Sequence, residues 1–490
     1  MTPGLVRTYL VATSIAAGTL AGFSHPSLWR ASVLACLGGL LTTVRRRPCA
    51  ALAGALLLSA AVGWGNVSLR AAAGGAVSKM ARAYPVCGFT ARIVEDVGWL
   101  GVLAAIERAD CSGSKPYLGG GLVAFDGRGE AGALAAGRGL LAPLDSDDAR
   151  DVARLRLGAQ AAIHDSSVQT VAGPAGVFAV ASAFRSALRR ATAAAPDRAG
   201  ALLRGLTIGD TDDLDPATIE RFRRTGLSHI VAVSGSNLAI VVGALVLLCG
   251  PLGHRARVAV AAAGITLFVL IVGPEPSVLR AAGMGAIGLL ALALGRRAEP
   301  VHALGLALAA LLVLRPSMVF SAGLHLSALA TLGIVLWADP VARRFGRLPR
   351  PLALGLALTL TAQAAVAPLL VGVFGQLSLA GPLANVLALP AVPSATILGF
   401  AAGAAELVSP GMASILARVA GLPAGWILWV ADGLGDRPWA AIVTARWWGA
   451  VAALPVAVGL FAAALRRDAP HRSPPTGSEQ PERHGKAPAP

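Results

Sequence analysis

The sequence predicts a polytopic α-helical membrane protein, with about 12 transmembrane helices and one small extracytoplasmic β domain. Two observations support this fold class. First, 55% of the 490 residues are hydrophobic and only 14% are charged, whereas a soluble protein of this length needs far more surface charge. Second, runs of about 18 or more apolar residues recur along the chain, as bilayer-spanning helices require.

The first 70 residues hold the first group of predicted membrane spans. Three arginines in a row, at 45–47, separate the second span from the third. Basic residues accumulate in cytoplasmic loops, so this loop and the amino terminus are predicted to be cytoplasmic and residue 70 to emerge outside. The predicted spans are roughly 5–24, 28–44 and 49–68.

Residues 71–173 have a different composition. Short apolar patches such as FTARIV and GGLVAFDG are bounded by Gly, Asp and Ser, and charges of both signs are interspersed. This pattern predicts short strands that form a small barrel. The charge distribution places Cys87 and Cys111 outside, where disulfides persist, so we expect a Cys87–Cys111 disulfide. The alternative is two unpaired thiols.

Residues 174–226 are predicted to form amphipathic helices at the membrane interface. The stretch VFAVASAFRSALRRA has one apolar face and one arginine face. In GDTDDLDPATIERFRRTG, Asp215 suits an N-cap, Pro216 the first turn and Gly226 the C-terminal cap. Residues 71–226 are therefore all predicted to be extracytoplasmic.

Residues 227–467 are predicted to hold nine further spans. Arginine-rich loops fall on alternate sides, which places both termini of the chain in the cytoplasm. The tail at 468–490 is rich in proline, serine and charge and is predicted to be disordered and cytoplasmic. The predicted spans are 228–250, 256–273, 277–294, 300–315, 319–338, 351–374, 382–406, 414–433 and 446–466.

The net charge of +16 does not by itself indicate a nucleic-acid partner, because the excess lies in loops and tail where membrane topology already requires it. The five cysteines form no CxxC pair, and no phosphate-binding GxxxxGK[ST] loop or His/Asp metal cluster appears. The sequence predicts no cofactor, no metal site and no ATPase.

Polar side chains inside the predicted spans are the main indication of function. Lipid offers them no partner, so they line a cavity, pair between helices or act on a substrate. Embedded acidic residues are nearly absent, which favours a pathway for an anion. Helix packing is the alternative for the serines and His325, snorkelling for Arg280, and half-helix capping for Asn385. The candidates are His229, Ser234, Gly235, Ser236, Asn237, Ser277, Arg280, Ser321, His325, Gln363 and Asn385.

Four motifs in order resemble the ComEC family of competence proteins. They are GLTIGDTDDLDPATIERFRRTGLSHIVAVSGSNLAIV, PSVLRAAGM, SAGLHLSALATLGI and PLLVGVFGQLSLAGPLANVLALP. The resemblance covers about residues 200–465, and residues 71–150 are similar in position and strand character to the family's OB-like outer domain. It implies a bacterial inner-membrane channel that passes one strand of transforming DNA into the cytoplasm, through a pathway lined by the residues above.

The resemblance also implies partners. These are single-stranded DNA, a DNA-receptor protein outside, a cytoplasmic helicase-like motor, a separate nuclease and the lipid bilayer. The outer domain is expected to bind DNA through basic and stacking surfaces. Its aromatic residues are Tyr84, Phe89, Trp99, Tyr117 and Phe125.

The sequence departs from the family pattern in two places. Ser236 and Asn237 stand where a Leu-His pair is common, so any role that needs imidazole is in doubt there. The metallo-β-lactamase-like domain of many members is not found, so we expect no nuclease in this chain. A transporter of an anionic small molecule or envelope precursor is the alternative function. A membrane enzyme is disfavoured, because no nucleophile–base pair or metal set is found.

Overall fold

A computed structural model describes residues 75–446, except 84, 98–99, 113–115, 146, 165–166, 232, 251–252 and 297. The three predicted spans before residue 70, the predicted tail and almost all of the last predicted span lie outside the described residues. The described residues form a β barrel, up to residue 172, and a set of helices after it.

The barrel consists of five strands that close on themselves in the order β1–β2–β4–β6–β5–β1. Neighbours are antiparallel except β4 and β6, which are parallel. β3 pairs with β2, β7 pairs with β5, and two short helices, α1 (Gly75–Ala81) and α2 (Ala149–Arg156), accompany the sheet. The strands are β1 (Val86–Asp96), β2 (Val102–Cys111), β3 (Tyr117–Leu118), β4 (Leu122–Phe125), β5 (Leu134–Ala142), β6 (Ala161–His164) and β7 (Gln169–Ala172).

Alternate residues of β1 point into the barrel, as strand geometry requires. Phe89, Ala91 and Ile93 are buried, whereas the residues between them face outward. Cys87 and Cys111 are direct partners in the β1–β2 register and form the predicted disulfide, which is confirmed.

Phe89 and Phe125, two of the aromatic residues of this domain, are not accessible as stacking surfaces for DNA. Both rings lie in the barrel core, 4% and 2% exposed, with their centroids 6.1 Å apart. Tyr117 packs partly against the same core. Tyr84 and Trp99 lie outside the described residues.

The described helices after the barrel include five that are long and apolar enough to cross a membrane, or six if one bent pair counts as a single span. The predicted count of about 12 is not reached there, partly because α7 and α10 are shorter. The helices are α3 (Val177–Thr192), α4 (Asp197–Ile208), α5 (Pro216–Arg224), α6 (Ser228–Val231), α7 (Gly235–Leu248), α8 (His254–Val272), α9 (Pro276–Ala293), α10 (Pro300–Leu314), α11 (Ala322–Arg344), α12 (Arg350–Phe374), α13 (Gly381–Ala388), α14 (Ala391–Glu406) and α15 (Pro410–Gly435).

Two predicted spans are broken. The span predicted at 228–250 is divided into α6 and α7, with Ser234 extended at the N-cap of α7. The span predicted at 382–406 is divided into α13 and α14, whose axes differ by 51°. Pro390 lies at this second break, where its missing N–H and the clash of its ring with a carbonyl of the preceding turn disfavour a continuous helix.

The segment predicted to lie at the membrane interface packs beside α15. Arg190 Nε lies 3.1 Å from Glu406 just before α15, and Arg221 Nε lies 2.9 Å from Asp436 just after it. With 26 residues, α15 is about 39 Å long. The segment therefore extends along the whole length of a span-length helix. Most of α4 is buried, unlike a helix lying on a bilayer surface.

The barrel contacts the helices through one of its ends. Glu95 at the end of β1 lies 3.6 Å from Arg315, which follows α10, and Arg128 lies 3.3 Å from Asp212. Gly132 lies against Phe178 of α3, because a Cβ at Gly132 would fall 2.8 Å from that side chain. The opposite end of β1, near Val86, is the end that carries the disulfide.

Candidate functional site

A small cavity of about 40 Å³ lies where the two broken spans face each other. Residues from α6 and the start of α7 form one wall, and residues from α13 and α14 form the other. Five of the predicted pathway residues are brought together here. The lining residues are His229, Ile230, Ser234, Ser236, Asn237, Asn385, Leu389 and Val392.

Hydroxyl and amide groups at the start of α7 are bonded to one another. Ser234 Oγ and Ser236 Oγ are 2.5 Å apart, and Ser234 Oγ also donates to Asn237 Oδ1 at 3.3 Å. None of these serine contacts caps a backbone N–H of α7. The first N–H groups of a helix lack intrahelical acceptors, so the break leaves backbone donors beside a polar cavity.

Asn237 is a structural connection as well as a cavity residue. Its side chain is buried, and Nδ2 donates to the carbonyl oxygen of Leu206 at 2.9 Å. Leu206 lies in the last turn of α4, where carbonyl groups lack intrahelical donors. Asn237 therefore supplies a hydrogen-bond donor to the C-terminal end of α4. The sequence did not predict this contact.

The other two polar cavity residues are held by local contacts. His229 Nδ1 lies 3.1 Å from the carbonyl oxygen of Gly226. Asn385 Nδ2 donates to the carbonyl oxygen of Gly381, one turn earlier in α13, at 2.8 Å. Both side chains are therefore oriented by the ends of broken helices.

Arg280 is buried between α9 and α11 and is not directed outward as snorkelling would require. Its exposed fraction is 7%; Nε donates to Ser327 Oγ at 2.8 Å and Nη1 lies 3.1 Å from Met284 Sδ. Within the described part of the chain, no carboxylate lies within 4.0 Å of this guanidinium. A buried cation without a counter-ion is costly, so an anion at this position would be stabilising.

Gly235 brings the start of α7 next to this cation. A Cβ at Gly235 would lie 2.9 Å from Arg280 Nη2 and 2.7 Å from the Ala281 Cβ, so a side chain there would collide. Ser277 Oγ donates to the carbonyl oxygen of Val233 at 2.8 Å and fixes the break against α9. The first turn of α7 thus contacts the cavity through Ser236 and Asn237 and the buried arginine through Gly235.

Three further predicted residues do not line the cavity. Ser321 is the N-cap of α11, and its Oγ accepts from Leu324 N at 3.2 Å. His325 Nε2 lies 2.8 Å from the carbonyl oxygen of Val319. Gln363 Nε2 donates to the carbonyl oxygen of Ser378, before α13. These side chains hold helix ends and connections in place.

Sequence reasoning did not select the partners of Arg280. Met284 follows Arg280 by four residues, a spacing that predicts contact on one helix face. Ser327 comes from another helix, and no sequence spacing connects it with Arg280. Among the described residues, no group of three or more His, Cys, Asp or Glu side chains is placed to hold a metal ion.

Comparisons with known proteins agree with the motifs. A family model described as "Competence protein" matches residues 206–469, more than half of the chain. ComE operon protein 3 of Bacillus subtilis (strain 168) is 27% identical over 210 residues, which cover 42% of this chain and 26% of that protein. The chain thus matches about a quarter of this relative's length. No solved structure matches the chain. All the predicted pathway residues lie in the matched region, and the barrel precedes it.

Proposed function

Because the chain belongs to the competence protein family, we propose that this multi-pass membrane protein is a channel that passes single-stranded transforming DNA into the cytoplasm. The family membership supports a role in competence DNA uptake. The single-stranded substrate, the inward direction and the bacterial inner membrane with both termini cytoplasmic are parts of the proposal. No catalytic step is assigned to the chain.

The observation that carries the proposal is the buried, uncompensated cation at Arg280. Arginine pairs well with phosphate, because its planar guanidinium donates two parallel hydrogen bonds. A passing phosphate backbone would supply the missing negative charge transiently, without a fixed carboxylate that would repel it. A permanently paired arginine would offer no such attraction.

The broken helices support the same function. Irregular backbone at membrane depth is tolerated where it lines a cavity, and both breaks face one cavity in this chain. A water molecule takes about 30 Å³ of liquid, so a cavity of about 40 Å³ is far smaller than a nucleotide. The described conformation is therefore closed, and DNA passage requires the α6–α7 and α13–α14 breaks to separate.

The proposed channel needs partners to work. Translocation in one direction consumes energy, and we propose a cytoplasmic helicase-like motor to supply it. A receptor outside would deliver the DNA, and a separate nuclease would remove the second strand.

The test is the entry of labelled DNA into the cytoplasm of a naturally transformable host that lacks its own copy of this protein. Complementation with the wild-type chain should restore entry, and Arg280→Gln should lower it by about tenfold. Arg280→Lys keeps the charge and should retain part of the activity. Arg418→Gln, the same change on an exposed position of α15, is the matched control and should behave like wild type.

Two outcomes would contradict the proposal. Normal entry with Arg280→Gln at normal membrane levels would remove the arginine from the pathway. Normal entry in the strain that lacks the protein would exclude DNA as the substrate. In that case a transporter of an anionic small molecule or envelope precursor becomes the better explanation of the buried cation.

A further inference from the structure

An open groove of about 900 Å³ lies on the outer face of the barrel, at the end of β1 that carries the disulfide. It is formed across three neighbouring strands, with β1 in the middle and β2 and β5 on either side. The lining residues are Val86, Gly88, Phe89, Thr90, Arg108, Asp110, Cys111, Ser112, Ala136, Gly137 and Arg138.

Two arginines stand on either side of the groove. In the sheet register Arg108 is the partner of Thr90, and Arg138 is the partner of Gly88. Both arginine side chains are exposed, and neither makes an ion pair or side-chain hydrogen bond in the described structure. The lining contains one acidic residue, Asp110, against two arginines, so the groove has an excess of positive charge.

Gly88 is not required by the fold. A Cβ there would meet nothing closer than 3.9 Å, and its φ is not among the positive values of the barrel glycines. A glycine inside a strand weakens the strand, and such a residue often marks a close approach by a ligand. Gly88 lies on the middle strand, opposite Arg138 on β5 and Asp110 on β2, with Arg108 diagonally across, and it gives the groove a floor without a side chain.

Part of the surface usually used by five-stranded barrels of this type is covered. Such folds commonly bind oligonucleotides on the face of their second and third strands, here β2 and β4. Leu103 of β2 and Ala124 of β4 are buried together with Ala159, and Leu157 at the end of α2 packs against them. This part of the β2–β4 face is therefore not accessible to a ligand.

Among the described residues, the groove lies at the end of β1 opposite the end that contacts the helices after the barrel. Glu95, which contacts the helices, lies seven residues along β1 from Gly88, or roughly 23 Å at the strand rise. The groove is consequently distant from the contact between the barrel and the described helices.

We propose that this groove binds single-stranded DNA by its phosphates, through Arg108 and Arg138 with Gly88 as the floor. The inference rests on the proposed function for its ligand. Phe89 and Phe125 are buried, so the bases are not held by these rings, and the groove reads neither sequence nor base identity. Binding is then governed by salt concentration, as phosphate contacts require.

The experiment measures binding of fluorescent oligothymidylate to the full chain in nanodiscs of neutral lipid, over a range of salt concentrations. The Arg108→Gln/Arg138→Gln double variant should bind about tenfold more weakly, and its salt slope should fall by about 0.7 for each phosphate that is no longer neutralised. Arg92→Gln is the matched control, because Arg92 is another exposed β1–β2 arginine but is already paired with Glu107 at 2.7 Å. It should bind like wild type.

Two further measurements separate binding from folding. Gly88→Thr improves strand propensity, so its thermal midpoint should be unchanged or higher while its affinity falls. An abasic oligonucleotide of the same length should bind as tightly as oligothymidylate. Unchanged affinity in the double variant, unchanged affinity with Gly88→Thr, or a strong preference for DNA with bases would each overturn the proposal.

Failure of this inference is distinguishable from failure of the channel proposal. The Arg108→Gln/Arg138→Gln variant should slow DNA entry in cells. Adding Arg280→Gln to this variant should still lower the remaining entry. If the full chain binds no oligonucleotide, the groove proposal is overturned, and the cellular entry assay still decides whether the chain is a DNA channel.

Discussion

Asn237 donates its Nδ2 to the carbonyl oxygen of Leu206 at 2.9 Å, which joins the first turn of α7 to the last turn of α4. The two residues are 31 positions apart, and Asn237 is almost completely buried. A side chain suited to contact a substrate is thus also part of the framework. Loss of activity on substituting it does not distinguish the two roles.

Asn237→Ala should therefore destabilise the protein. The carbonyl of Leu206 would lose its donor inside the structure, at a cost of about 1–3 kcal/mol. Thermal unfolding of the purified protein in detergent measures the effect. Ser236→Ala, a change at the exposed neighbour, is the control and should cost about 0.5 kcal/mol or less. Equal midpoints for Asn237→Ala and wild type would contradict the structural role.

Gly235→Ala should destabilise the packing of α7 on α9. The new methyl group would fall 2.7 Å from the Ala281 Cβ and 2.9 Å from Arg280 Nη2, and such overpacking costs about 1–3 kcal/mol. Gly243→Ala on the same helix has open space around it and should stabilise the helix by about 0.5–1 kcal/mol. A comparison of the two unfolding midpoints checks the prediction, which fails if both variants shift in the same direction.

The attachment of the barrel to the helices should weaken as the pH rises. Burial raises the pKa of the Glu95 carboxyl; nearby Arg315 opposes this shift and Glu275 adds to it. A carboxyl that holds its proton more tightly when folded contributes stability below its unfolded pKa, and this contribution is lost as the pH rises through the folded pKa. Glu95→Gln stays neutral and should flatten the dependence.

Hydrogen exchange at the end of β1 between about pH 4 and pH 7, corrected for intrinsic rates, measures this effect. The control is Glu107→Gln, which changes an exposed carboxyl on β2 and should retain the wild-type dependence. The prediction is wrong if protection at the end of β1 increases with pH, or if Glu95→Gln leaves the dependence unchanged.

Removal of the Cys87–Cys111 disulfide should destabilise the barrel by about 3 kcal/mol, because the bond closes a loop with a sequence separation of 24 residues. The Cys87→Ser/Cys111→Ser variant is compared with Cys249→Ser, which changes a cysteine that forms no disulfide. Proteolysis within the barrel should increase for the first variant only. Equal protection of the two variants would show that the disulfide contributes little.

Local patterns predicted several elements well. The span predicted at 256–273 is α8 (His254–Val272), and that predicted at 351–374 is α12 (Arg350–Phe374), because apolar runs and flanking arginines define such helices. The disulfide followed from the compartment assigned to its cysteines. The alternation of Phe89, Ala91 and Ile93 predicts that these side chains share one face of β1, but the sequence does not show that this face is inside the barrel.

Contacts between distant residues were beyond sequence reasoning. Arg280 meets Ser327 across 47 residues, and only the packing of α9 on α11 brings them together. The span predicted at 228–250 is broken because hydropathy averages over a window, whereas the break at Ser234 depends on local backbone conformation. The placement of α3 to α5 beside α15 depends on ion pairs such as Arg221 with Asp436, which no nearby spacing indicates.

The same placement sets the order in which the chain assembles. Arg198 at the start of α4 donates two hydrogen bonds to Asp432 near the end of α15, across 234 residues. At about 5–20 residues per second, the ribosome needs on the order of 10 to 50 seconds to make the intervening chain. During that interval α4 can pack only on nearby segments such as α5 and α6, and the part of its apolar surface that meets α15 lacks that partner. The segment between the barrel and α7 therefore completes its packing only after α15 has been made, and the surface that waits for α15 needs protection during synthesis.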